Sequence, residues 1–247
     1  MPRLLHRIAL AAALLFAGAA AANEAAIRKA LEPKLGSAKI EGVQPTPMPG
    51  LWEVRVRTAA DGVQLIYTDT NGGYLIQGNL HDLRANRNLT EDRMRRLNAI
   101  KIESLPLDQA VKIQRGDGRR TLVMFSDPYC PYCQQFEQTL LKVDDITVYV
   151  FMFPVIRPQN ADHSKAVWCS PDRAKAWLEL AIQHKRPAAA ATCDNPVEKN
   201  LELGRALRIN STPTLIFSSG ERVSGGMSGP DLAKALDESA KSAKKPQ

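Results

Sequence analysis

The chain has 247 residues and a formal net charge of +7, long enough for one large or two modest domains. No internal run approaches the ~18 consecutive apolar residues a membrane-spanning helix needs. The positive charge is not organised for nucleic acid either: Arg84, Arg87, Arg93, Arg95 and Arg96 cluster, but Asp82, Glu91 and Asp92 interleave and no aromatic ladder accompanies them.

The N-terminus has the pattern of a targeting segment. Arg3 and Arg7 precede a short apolar run from Ile8 to Ala19, followed by Ala20, Ala21 and Ala22. This predicts a signal peptide over 1–22, cut after Ala22, and an exported protein of about 225 residues. Export implies a compartment that permits disulfides.

Residues 23–85 read as a small α+β unit. Ile27, Leu31 and Leu35 have helical spacing within Glu24 to Leu35, although Pro33 can stop that helix early. Three strands are predicted at Leu51–Val56, Gly62–Thr68 and Tyr74–Gly78, with 69–73 as a hairpin turn. Trp52, Val54 and Val56 alternate with charged residues, so the sheet is expected to bury one face only. A unit this small gains from association with a partner. Asn88 with Glu91 three residues on predicts a capped helix reaching about Ile102. It is either a surface helix or a linker, here taken as a linker over 86–105.

Residues 106–240 alternate differently. Thr121 to Phe125 is an apolar, β-prone run, and Cys130-Pro131-Tyr132-Cys133 follows it. Pro131 fits a first helical position, since its φ is preset and its missing N–H would be unpaired there. Cys130 therefore falls at a helix N-terminus, where backbone N–H groups and the helix dipole favour a thiolate. Cys133 lies one turn further in, placed to attack a mixed disulfide on Cys130. After this helix come a strand over Ile146–Phe153, a long helical stretch, strands Thr214–Phe217 and Arg222–Gly225, and a helix over Asp231–Ser239. A β-α-β…β-β-α order with CxxC opening the first helix reads as a thioredoxin-like domain. The tail 241–247 is charged and expected to be disordered.

Around the dithiol, Asp127 has two readings: an acid/base tuning Cys133, or a cap on the turn with Pro128. Thr212-Pro213 precedes an apolar strand and would pass for an ordinary strand entry without the CxxC. Cys169 and Cys193 stand outside any CxxC pair. His163 does not complete a familiar zinc spacing with them, and the even cysteine count of an exported chain favours pairing over metal.

Phe125-Ser126-Asp127 through Cys133, Thr212-Pro213, Trp168-Cys169 and Cys193-Asp194 together resemble the DsbC-type periplasmic disulfide isomerases. Ile76-Gln77-Gly78 and Leu97-Asn98 add weaker matches. The resemblance implies a homodimer, with an N-terminal dimerisation domain, a linker helix and a thioredoxin-like catalytic domain carrying a helical insertion. By it, Cys130 and Cys133 are catalytic, and the Thr212-Pro213 bond is cis and presents backbone to substrate. Pro131, Tyr132 and Asp127 tune the site. Cys169 and Cys193 form a structural bridge, and Tyr74, Ile76 and Gly78 sit at the dimer edge. Clients would be misfolded disulfide-containing exported proteins, and a membrane-bound DsbD-type reductase would supply electrons, with no cofactor, metal or nucleic acid. Pro131-Tyr132 departs from the Gly-Tyr usual in the isomerases and matches the DsbG type; Trp168, Cys169 and Cys193 match the DsbC type. The alternatives to an isomerase are a DsbG-like sulfenic acid reductase and a holdase chaperone with secondary redox activity.

Overall fold

Ile27 and Leu31 lie one turn apart on the helix 21–31 (α1), and both are buried against Trp52, Val54, Val56 and Ile66. The computed structural model describes residues 21–58 and 62–243, which divide into two compact units between Asn98 and Ala99. The expected signal peptide falls mostly outside the described residues, as do 244–247.

In the N-terminal unit, Pro33 turns the end of α1 into a 3-10 turn, Glu32–Lys34. An antiparallel sheet follows in the order β1 (Lys39–Pro45), β2 (Leu51–Thr58), β3 (Gly62–Asp69) and β4 (Leu75–Ile76). The sequence reading missed β1, whose register is broken by a bulge between Ile40 and Gly42 and which carries no clean alternation. The β3–β4 turn is built by Asp69, whose carboxylate accepts from the N–H groups of Asn71 and Tyr74. Gly72 there has φ +73°, and a Cβ on it would stand 2.7 Å from Ala30 Cβ of α1.

One expectation for this sheet fails. Its second face is covered in part, because α2 (Leu89–Leu97) packs against β3 there, while Arg57 at the far end stays exposed. Tyr67 and Thr90 share a buried hydroxyl–hydroxyl hydrogen bond, and Arg93 Nε donates to the buried Glu53 carboxylate at 3.1 Å. A carboxylate at an alternating position reads as solvent-facing only while its partner, 40 residues away, is unseen. Asn88 caps α2 by accepting from Glu91 N–H, but the helix ends at Leu97 rather than near Ile102. A short ribbon of β5 (His81–Asp82) and β6 (Arg87–Asn88) precedes it. The segment 86–105 is thus shared: α2 belongs to the first unit, while Ile102 and Leu105 are buried in the core of the second.

The second unit holds a five-stranded sheet ordered β11-β10-β8-β9-β7. Its strands are β7 (Val111–Arg115), β8 (Arg120–Ser126), β9 (Ile146–Met152), β10 (Thr214–Phe217) and β11 (Arg222–Ser224). Only β8 and β9 are parallel; β7 is an antiparallel edge added to the expected order. Leu122 and Met124 of β8 face one core with α3 (Pro131–Leu140), α5 (Arg173–Gln183) and α7 (Gly229–Ala243). Val123 and Phe125 face the other, with Ile102, Leu105 and Ile209. Burial on both faces makes β8 read as an unbroken apolar run.

The long helical stretch resolves into α4 (Ala161–Cys169), α5 and α6 (Val197–Ala206), inserted between β9 and β10. α7 runs past its predicted end, so 241–243 are helical where the sequence predicted a disordered tail. Leu232, Leu236 and Ser239 hold its inner face, and the register continues through them.

Candidate active site

β8 ends at Ser126, and the turn 127–130 delivers Cys130 to the N-cap of α3 with Pro131 at the first helical position. Asp127 holds that turn. Fully buried, its Oδ1 accepts from Tyr129 N–H at 2.8 Å and its Oδ2 from Ile156 N–H at 2.6 Å. These are the contacts of a turn cap that also pins the loop after β9. Gln134 Nε2 donates to Pro128 O at 2.7 Å and ties α3 back to the same turn.

Cys130 and Cys133 are both free thiols, and both are buried, at 3% and 1% exposure. The Thr212-Pro213 bond is cis, and it places the Thr212 carbonyl against the dithiol: Cys130 Sγ–H donates to Thr212 O at 3.3 Å. Pro213 O in turn accepts from Gly225 N–H at 2.7 Å, fastening the loop to β11. The Cys133 thiol is pushed up to about 12 by burial, with the neighbouring Cys130 sulfur adding to the rise. The Ser126 hydroxyl, which has no conventional hydrogen-bond partner, and the Asp127 N–H lie beside that sulfur and pull the other way. Cys130 therefore sits at the helix end and faces backbone, while Cys133 is held as a neutral thiol beneath it.

Tyr132 projects outward at 72% exposure. Val155 and Ile156, on the loop pinned by Asp127, are also exposed apolar side chains. Cys169 and Cys193 are bonded to each other, with Cα atoms 5.7 Å apart, and link the end of α4 to the segment before α6. The edge strand predicted over Tyr74–Gly78 is shorter, β4 holding Leu75 and Ile76 alone; Tyr74 immediately precedes it, and a Cβ on Gly78, two residues past it, would meet no described heavy atom within 4 Å. Among the described residues, no group of three or more His, Cys, Asp or Glu side chains is arranged to hold a metal ion.

Residues 107–240 match the thioredoxin-like domain family, and residues 18–91 match the N-terminal domain of the disulfide bond isomerase proteins. A probable thiol:disulfide interchange protein DsbC from Bordetella pertussis is 39% identical, over 80% of this chain and 68% of the relative. The chain belongs to the DsbC family. The DsbC of Haemophilus influenzae is 30% identical over 90% of this chain and 95% of its own length. That of Escherichia coli is 27% identical over 92% of each. A solved disulfide interchange protein from Neisseria gonorrhoeae superposes with a TM-score of 0.53 at 39% identity, covering 55% of this chain and 99% of its own. As a DsbC-family protein, this chain is a thiol-disulfide oxidoreductase with an α+β N-terminal domain and a thioredoxin-like domain carrying a helical insertion.

The sequence reading missed several residues near the DsbC-type dithiol. Glu137 lies on the buried face of α3 with Cys133, Phe136 and Leu140, and accepts from Trp177 Nε1 at 2.7 Å. Burial raises its carboxyl to about 7, against the pull of the Trp177 N–H and the Arg115 charge. A carboxylate at an i, i+4 position of an apolar stripe was the available signal. Tyr129 was passed over as well, though it bonds His163 Nδ1 through its hydroxyl and lies under Arg157.

Proposed function

We propose that this DsbC-family protein is a periplasmic, homodimeric disulfide isomerase and reductase in which Cys130 is the nucleophile and Cys133 the resolving thiol. The observation that carries the reading is the free thiol of Cys130 at the N-terminus of α3, in contact with the backbone of Thr212. The other two cysteines are already bonded to each other and lend themselves to a structural role.

The Cys130 thiolate attacks one sulfur of a client disulfide. The client S–S bond breaks, a Cys130–client bond forms, and the second client sulfur leaves as a thiolate. A different client thiolate then displaces Cys130, giving a rearranged pairing with no net change in oxidation state. Alternatively Cys133 loses its proton and attacks Cys130; the client is reduced by two electrons and the protein ends as a Cys130–Cys133 disulfide. The high pKa of Cys133 supports the first outcome, because a neutral resolving thiol leaves the mixed disulfide time to exchange. Returning the oxidised pair to the dithiol requires two electrons, which we assign to a membrane-bound DsbD-type reductase.

Thr212 and Pro213 offer backbone to an extended client, and Tyr132 offers an exposed aromatic face. Pro131 starts the helix whose end activates Cys130, and Asp127 holds the turn beneath it. Residues 23–85 form the dimerisation domain in this reading, 86–105 the linker and 106–240 the catalytic domain. The exposure of Ile76 (52%) on edge strand β4, and of Tyr74 (77%) just before it, supports pairing with a second copy. The exposed apolar side chains of Val155 and Ile156 beside the site support a chaperone activity alongside the redox one.

The test is recovery of activity from a scrambled multi-disulfide protein in a glutathione buffer. Wild-type chain is expected to restore it and Cys130→Ala to lose that recovery. Equal recovery by both would remove Cys130 from the mechanism.

A further inference from the structure

The wall of the site on the helical-insertion side is basic. Arg157 lies with its guanidinium carbon 5.7 Å from the centroid of the ring of Tyr129, the residue before Cys130 in the chain. The Tyr129 hydroxyl bonds His163 of α4, and Gln134 of α3 reaches His184 at 3.4 Å. Arg186 follows His184 by two residues, and Arg157 and Arg186 are both exposed. Burial raises the Tyr129 hydroxyl, and the charges of Arg186 and Arg157 are the two influences that lower it, which puts both cations within electrostatic reach of this residue.

The acidic groups nearby do not cancel them. Asp127 is buried and accepts from two backbone N–H groups. Asp162 pairs with Lys165, and Glu179 pairs with Lys185. Two exposed guanidiniums from two different loops therefore stand on the Tyr129 side of the turn that carries Cys130, Arg157 over the Tyr129 ring and Arg186 two residues past His184, which Gln134 of α3 contacts.

We infer that Arg157 and Arg186 form a subsite for carboxylates on the client polypeptide, so that disulfides flanked by Asp or Glu react with Cys130 in preference to those flanked by Lys or Arg. This deepens the proposed function and rests on Cys130 being the nucleophile. The physical need is plain. An attacking thiolate repels an acidic client, and fixed cations beside it offset that repulsion and raise the local concentration of such segments. Guanidiniums suit the task because they bind carboxylates in a bidentate manner and remain charged at any working pH.

The experiment uses two symmetrical peptide disulfides of identical sequence, except that three residues around the cysteine are Asp in one and Lys in the other. Pre-reduced full-length protein is mixed with each, and released peptide thiol is followed. Each chain gives up two electrons and releases two peptide thiols, ending as the Cys130–Cys133 disulfide. Rates are normalised to those with dithiothreitol, whose attacking thiolate carries the same negative charge but has no fixed cations beside it. At low salt the acidic peptide is expected to react about fivefold faster, a preference that shrinks in ~0.5 M salt. Arg157→Gln with Arg186→Gln should bring the ratio close to one. Arg119→Gln with Lys142→Gln removes two exposed charges from the opposite ends of β8 and α3, and should leave the ratio unchanged.

No preference in the wild type, or a preference that survives the Arg157/Arg186 change, overturns the subsite. A preference lost equally with Arg119 and Lys142 also overturns it, in favour of steering by net charge. Failure of both peptides to react, with both thiols confirmed reduced, instead removes the Cys130 reading on which the subsite depends.

Discussion

The indole Nε1 of Trp177 donates to Glu137 Oε1 at 2.7 Å, and this bond joins the dithiol-bearing helix α3 to α5 of the insertion. Both residues are almost fully buried. Arg115 adds a charge close to the carboxylate while donating to the Leu140 and Val143 carbonyls at the end of α3. A single carboxyl thus stands where the active-site helix, the insertion and β7 converge.

That carboxyl makes stability depend on pH. Its pKa in the folded state, about 7, lies above the ordinary value of 4.5, so the folded chain holds the proton more tightly than the unfolded one. Stability is then full below about pH 4.5 and falls as pH rises through 7, by on the order of 3 kcal/mol for this group. Gln in place of Glu137 keeps an acceptor for Trp177 and never ionises. At pH 8 Glu137→Gln should melt roughly 5–10 °C above the parent, and near pH 4, below the unfolded-state pKa, the two should coincide. Calorimetry across that range checks it; parallel curves would remove Glu137 as the responsible group.

Cys133 predicts a second asymmetry. With its thiol near 12, about one chain in ten thousand carries the Cys133 thiolate at pH 8. In the reduced native protein, iodoacetamide should label Cys130 first and Cys133 at least ~100-fold more slowly. The Cys133 rate should climb about tenfold per pH unit between 8 and 10 without levelling off, and in urea the two should label alike. Peptide mass spectrometry resolves the sites. Comparable native rates would mean that burial does not control Cys133.

The chemistry of this chain was more legible than its packing. Cys130, Pro131 and Cys133 announce their helix because proline geometry and cysteine spacing are local, and the Asn88 cap on Glu91 N–H was readable for the same reason. The pairing of Glu53 was not, and that of Glu137 left only the hint of a carboxylate set in an apolar stripe. Each is a carboxylate whose burial depends on a partner 40 residues away, Arg93 for one and Trp177 for the other, and no local pattern encodes that pairing. β1 escaped because its bulge breaks the alternation on which strand reading depends. The end of α2 was misplaced because Ile100 and Ile102 continue the apolar spacing; in the structure Ile100 N–H instead bonds Gly220 O and Ile102 enters the second unit's core.

The Cys169–Cys193 bond closes a segment with a sequence separation of 24 that contains all of α5. Restricting the unfolded chain in this way contributes on the order of 3 kcal/mol. Cys169→Ala with Cys193→Ala should lower the unfolding free energy by about that amount, and should leave thiol–disulfide exchange at 25 °C within about threefold of the parent because neither sulfur touches the dithiol. A loss of exchange in protein shown by circular dichroism to be folded would assign the bridge more than a structural part.

Gly204 offers the sharpest packing test. It lies inside α6, where Ala would ordinarily gain about 1 kcal/mol in helix propensity. A Cβ there would stand 2.3 Å from Phe153 Cε2 and 2.7 Å from its Cζ. The Phe153 ring cannot swing away easily: it meets Phe125 edge-on with centroids 5.9 Å apart, and Phe125 stacks on Phe151 at 4.9 Å. Overpacking should outweigh propensity, so Gly204→Ala is expected to destabilise by about 2 kcal/mol net. Phe153→Leu in the same chain should recover part of that loss, giving a coupling energy of about 1 kcal/mol in a double-mutant cycle. The strain has a path to the dithiol, since Phe153 N–H bonds Ser126 O at 2.8 Å and Val155 N–H bonds Phe153 O. Alkylation of Cys133 should therefore quicken in Gly204→Ala and return towards the parent rate in the double variant. Additive stabilities, with Cys133 labelling unchanged, would show that α6 moves away from Phe153 without disturbing the turn that holds the site.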